Sequence, residues 1–260
     1  MDATARFAEL LRRPDAEIPL DEAAALIAAH AHPTLDLSAV LGRLDELAAG
    51  TSASDTAEIA AYLFDERGFA GNTVDYGDPR NSYLDDVLER RLGIPISLSV
   101  LMMEVGGRRD VPVLGVGMPG HFLVCPAGVA DAWFDPFHGG QQLDAAACRA
   151  RFHELQGPEA EFKPEYLAPI STAALVARML ANLQNTLLHR DPASVAWVLR
   201  LRLRVPATPA RERAALASLL GTLGHFTEAA DELDALGDEA AGDDADRIGQ
   251  QAAALRARGN

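Results

Sequence analysis

Gly93-Ile94-Pro95-Ile96-Ser97-Leu98-Ser99, with Pro119-Gly120-His121-Phe122 and Phe134-Asp135-Pro136-Phe137 downstream, is the stretch whose reading decides the fold. Leu98, Leu101, Met102 and Val105 follow the i, i+3, i+4, i+7 spacing that puts four apolar side chains on one helical face. Pro95 suits the first turn, where a missing N–H costs nothing, and Gly106-Gly107 stops the helix. A strand from Val111 to Gly117 follows, then a second at His121–Cys125, a turn at Pro126-Ala127-Gly128 and a third strand at Ala132–Asp135. A hairpin folded about Gly128 sets His121 opposite Asp135, close enough for the carboxylate to hold the imidazole. Such a pair serves acid–base chemistry, because the Asp fixes the ring tautomer, and it equally serves as a self-satisfied buried polar contact. Spacing alone leaves both readings open.

These motifs, with Asn81-Ser82-Tyr83-Leu84, Gly140 and Leu143, resemble the transglutaminase-like core of the bacterial SirB family, which also occurs in some eukaryotic F-box proteins. The resemblance runs from Ala57 to Leu143. It implies a papain-like α+β core whose ancestral triad is Cys, His and Asp, continued by a tetratricopeptide-like helical tail. His121 and Asp135 correspond to the His and Asp. In active members a Gly-x-Cys opens the central helix, and counting back from Val111-Pro112 sets Gly93-Ile94-Pro95 on that motif. Pro95 then stands in the nucleophile's place and has no nucleophilic atom.

Two serines are the nearest substitutes. Ser97, two positions on, is turned by roughly 200° from the vacated site, and Ser99 lies roughly 6 Å further along the helix. Ser97 fits a cap for the helix start better than a nucleophile. Cys125 shares a strand face with His121 but sits roughly 13 Å away along it. Cys148 falls in the helix after Asp144 and has no evident partner. Reduced, packed thiols are the expectation for both, with a disulfide between them left open. His121, Asp135 and His138 lack the spacing of a zinc motif, so the sequence calls for neither metal nor cofactor.

The frame around the core is ordinary for a water-soluble chain: of 260 residues, 48% are hydrophobic and 23% charged. The 38 acidic residues outnumber the 23 basic ones, and a net charge of -15 repels phosphate backbones and anionic lipid. Nucleic acid and membrane are therefore not expected as partners, whereas a protein partner is. The first residues lack the basic and apolar regions of a signal peptide, so the expected location is cytoplasmic.

In chain order, short helices at Phe7–Arg13, Pro19–His30 and Leu35–Ala49, and one from Thr51–Ser54 to Gly68, lead to a polar loop at 71–80. Asp78, Asn81 and Tyr83 border that loop and are candidates to line a cleft beside His121, against the simpler roles of cap and packing. The expected division is a transglutaminase-like domain at 1–156, a linker at 157–170 and a tetratricopeptide-like region at 171–260. Within the last, Ala210–Leu223 and Phe226–Leu236 pair around Gly224. The expected fold class is thus α+β, predominantly helical, with a small antiparallel sheet and a helical-repeat-like tail. The expected function is a catalytically silent transglutaminase-like protein used in protein recognition or regulation. The competing expectation is a hydrolase or acyl transferase in which Ser97 or Ser99 acts with His121 and Asp135.

Overall fold

The computed structural model describes residues 2–206 and 208–259. Alanine-rich apolar faces build three N-terminal helices, α1 (Ala3–Leu10), α2 (Leu20–Ala31) and α3 (Leu37–Ala49). Proline at 14 ends nothing directly: α1 begins and closes earlier than its apolar spacing suggests, at Ala3 and Leu10. Asp36 caps α3 through the Ser38 and Ala39 N–H groups, and Asp55 caps α4 (Thr56–Ala60) through the Glu58 N–H. The chain then widens into a π-helix at Ala61–Glu66, closed by the Arg67 N–H on the Tyr62 carbonyl at 2.9 Å. The sequence suggested one uninterrupted helix here. The wider turn brings Phe64 and Ala60 against Gly140, where a Cβ would meet the Phe64 ring at 2.5 Å.

A two-residue parallel pair follows, β1 (Ala70–Gly71) with β2 (Leu92–Gly93), and α5 (Leu84–Arg90) lies between them in sequence. The pairing delivers the chain to α6 (Pro95–Arg108), the central helix. Leu98, Leu101, Met102 and Val105 are buried without residual exposure, as their spacing predicts. So is Ser99, because α6 is enclosed by helices on one side and by the sheet on the other.

The sheet is antiparallel in the order β3 (Val113–Val116), β4 (Leu123–Pro126), β5 (Trp133–Asp135) and β6 (Gln141–Leu143). Alternation divides its side chains. Val113, Val124 and Phe134 join the core that contains α6, while Val116, Leu123, Cys125 and Leu143 pack with Cys148 and Phe152 of α7 (Ala145–Gln156). The β4–β5 register differs from a hairpin folded about Gly128, since Val124 pairs with Phe134 rather than with Ala132. The turn is longer than expected, with Gly128 (φ 75°) and Asp131 (φ 57°) both left-handed. A shift of two residues preserves the face of every side chain, whereas a shift of one would have parted His121 from Asp135.

Segment 157–170 lies along the sheet: Val116 bridges to Pro169, the Ile170 N–H donates to the Gly115 carbonyl at 2.9 Å, and Trp133 Nε1 donates to Leu167 O at 3.1 Å. Beyond it come α8 (Thr172–Arg190), α9 (Ala196–Leu203), α10 (Ala210–Thr222), α11 (Phe226–Glu239) and α12 (Asp243–Gly259). Leu175, Leu180, Leu183, Leu199 and Leu220 belong to the same hydrophobic core as α6, so apolar packing continues from the sheet domain into the tail. The α10–α11 pair turns at Gly224 (φ 92°), and Gly221 lets Ala229 and Leu255 approach. None of the described helices is long and apolar enough to cross a membrane.

Leu101→Ala should lower unfolding stability by about 2–5 kcal/mol, because it removes a fully buried side chain and leaves a cavity in the core. The urea midpoint at unchanged slope is the measurement that checks it.

Candidate functional site

Met118 and Gly120 (φ 79°) turn the chain between β3 and β4, and the turn leaves His121 buried at the edge of the sheet. The turn is held from the tail. The Arg178 guanidinium of α8 donates to the carbonyls of both Met118 and His121, and lies 5.3 Å over the Phe122 ring. At the end of β5, Asp135 is fully buried and accepts the His138 N–H at 3.3 Å, capping the short 3-10 turn Pro136–His138.

His121 Nε2 lies 2.9 Å from Asp135 Oδ2, and His138 Nδ1 lies 2.8 Å from the same oxygen. The His121 N–H is not aligned with the carboxylate as a hydrogen bond requires, and no other acceptor meets it. His138 is 40% exposed, so it forms the mouth of the site. Arg151 of α7 adds a cation, its guanidinium 2.9 Å from His138 Nε2 and 3.9 Å from Asp135 Oδ2. Burial opposes the charge on Asp135, but the imidazoles of His121 and His138 outweigh it and hold the carboxyl below the usual carboxylate range. Around this group stand aromatic rings: Phe137 packs edge-on against both His121 and Tyr76. Gly71 makes room, because a Cβ there would meet the Phe137 ring at 2.5 Å.

The serines point elsewhere. Ser97 Oγ accepts the Ile94 N–H at 3.0 Å and donates to the Asn81 carbonyl at 2.6 Å. Ser99 Oγ donates to the Pro95 carbonyl one turn back, at 2.8 Å. Pro95 occupies the first turn of α6. Both cysteines are free and buried between the sheet and α7, Cys125 from β4 and Cys148 on α7 itself, and burial raises both thiols, Cys148 to about 12.

The three residues bordering the 71–80 loop organise it. Asn81 is fully buried, donating to the Asp75 and Tyr76 carbonyls and accepting from Asn72. Asp78 pairs with Arg80 and Arg90. Tyr83 is buried with its ring edge on His32, away from the loop's free side. Of these, Asn81 leads toward His121, through the Tyr76 carbonyl and the ring contacts of Tyr76 with Phe137 and Phe137 with His121.

A family model described as the transglutaminase-like superfamily matches residues 20–181. The chain belongs to that superfamily. The transglutaminase-like chain is 38% identical over 191 residues to a UPF0162 protein of Xylella fastidiosa (strain Temecula1), covering 68% of each. It is 35% identical over 174 residues to a UPF0162 protein of Pseudomonas aeruginosa, covering 64% of each, so the match spans about two thirds of these relatives. Human F-box only protein 21 is 36% identical over 95 residues, which are 33% of this chain and 15% of that protein. These relatives agree with the resemblance to the SirB family and to F-box proteins that the motifs carry. No solved structure matches.

Sequence reasoning missed Arg151 and Arg178, and set His138 aside. One signal for Arg178 was present: it interrupts the run Leu175-Val176-Ala177-Arg178-Met179-Leu180, where a long cation amid apolar neighbours needs a buried acceptor. Arg151 carried no comparable signal. His121, Asp135 and His138 offer ligand atoms that all lie within 4.8 Å of one another, and so do His32, Asp85 and Asp86.

Two outcomes follow. Ser97→Ala should cost about 1–3 kcal/mol by chemical denaturation, since it leaves the Ile94 N–H and a buried carbonyl unmet. Asp135 has a depressed folded-state pKa, so its contribution is present above the unfolded value of about 3.9 and is lost as pH falls through the folded value below it. The stability difference between the native chain and Asp135→Asn should therefore shrink on acidification below about pH 4 in a pH series of urea melts.

Proposed function

We propose that this chain is a catalytically silent transglutaminase-like protein that binds a protein segment at the surface beside His121, where His138, Phe137 and Tyr76 meet. The observation that carries the reading is the commitment of both serine hydroxyls to backbone groups, with Pro95 at the position that the family resemblance gives to the nucleophile. A hydroxyl already donating to a buried carbonyl is a poor nucleophile, and displacing it would unmake the start of α6. Raised thiol pKa values and burial remove the cysteines as substitutes.

What is left is a binding surface. Val74 is 97% exposed and Tyr76 53% exposed on the 71–80 loop, and the Tyr76 ring meets Phe137, which meets His138, so an aromatic group borders the mouth that His138 and Arg151 line. A peptide segment with an apolar or aromatic residue matches that surface. Loops fixed on a rigid scaffold are where such recognition collects, and the 71–80 loop is pinned by Asn81 from within.

Purified chain treated with a fluorophosphonate should show no stoichiometric labelling, and Ser97→Ala, Ser99→Ala and His121→Ala should leave its labelling unchanged. Labelling that reaches one equivalent and disappears with one serine and with His121 would establish a working triad and overturn the proposal. Peptides selected from a displayed library on the native chain should bind Tyr76→Ala at least several-fold more weakly.

A further inference from the structure

We infer that His121, Asp135 and His138 form a binding site for a divalent transition-metal ion of the zinc class. The three ligand atoms converge, and Asp135 Oδ2 stands 2.9 Å and 2.8 Å from the two imidazole nitrogens. Tetrahedral bonds of about 2.0–2.1 Å separate ligand atoms by about 3.3 Å, so chelation asks each imidazole nitrogen to draw back from Asp135 Oδ2 by about 0.5 Å. Two imidazoles and a carboxylate with open positions are a recurrent donor set for zinc and for non-haem iron.

A second observation points the same way. The His121 ring is 5% exposed and its Nε2, aimed into the cluster, has no hydrogen-bond partner. Its 2.9 Å contact with Asp135 is an ion-pair contact without hydrogen-bond alignment, so this buried nitrogen is open to a better-directed partner. An ion bound between them would meet it. The exposed edge of His138 gives that ion a way in and leaves coordination positions facing solvent.

Arg151 is the rival cation. Its guanidinium sits 3.1 Å from His138 Nδ1, 2.9 Å from Nε2 and 3.9 Å from Asp135 Oδ2. Glu154, 3.4 Å away on the next turn of α7 and largely exposed, is a carboxylate that can keep the arginine when an ion arrives. Arg151 thus acts as a competitor, and its removal strengthens the site. The other cluster differs: the His32 ring lies between two carboxylates, Nδ1 at 2.6 Å from Asp85 and Nε2 at 3.5 Å from Asp86, and itself fills the space an ion would take. The metal site shares His121 and His138 with the proposed peptide surface but does not depend on it, and the labelling above is read on chelator-treated chain, in which His121 is free to act as a base.

The test is titration of the full chain with Co2+, followed by its visible ligand-field absorption, with Zn2+ as displacing ion. One equivalent should bind. His138→Ala, an exposed position whose far-ultraviolet circular dichroism should match the native chain, should weaken binding by about tenfold or more. Arg151→Ala should tighten it several-fold. Absence of stoichiometric binding by the native chain, binding undiminished in His138→Ala, or loss in His32→Ala instead would each overturn the inference.

Discussion

A carboxylate with no exposure must find its compensation inside the protein, and Asp135 imposes that requirement on everything near it. It sits at the end of a three-residue strand, so the sheet fixes its position, while its partners come from three other places: the β3–β4 turn, the Pro136–His138 turn and α7. The compensation is shared, with two imidazoles and a guanidinium around one oxygen. Each of those groups therefore has its place dictated by the charge it answers.

The same logic explains the start of α6. A helix entering a closed core brings N–H groups with no partners of their own, and Ser97 meets the Ile94 N–H while tying the helix to the Asn81 carbonyl. One hydroxyl joins the 71–82 loop to the central helix. That connection lies two residues after Pro95, which the family resemblance sets in the nucleophile's place, and fold membership by itself says nothing of the chemistry there.

Much of this was legible in the sequence because it is periodic. The α6 face and the Gly224 turn follow local rules, and each appears where those rules put it. The His121–Asp135 contact was legible through a register two residues in error, a slip that side-chain parity forgives. What escaped was non-local. Arg151 reaches Asp135 across 16 positions and Arg178 reaches the His121 carbonyl across 57, and no spacing rule operates over such separations. The π-helix at Ala61–Glu66 escaped as well: it packs Phe64 against Gly140, a close approach from another part of the chain.

The grip of Arg178 on the Met118 and His121 carbonyls bears on how the chain responds to being cut. A protease nicking the exposed stretch around Glu159 and Glu161 would sever the covalent link between sheet and tail without separating them. Leu175, Val176 and Met179 would remain in the core beside α6, and the arginine would still brace the turn that carries His121. The tail behaves as a wall of the site rather than an appendage, so a chain ending before α8 would lose that wall together with the donor for two carbonyls.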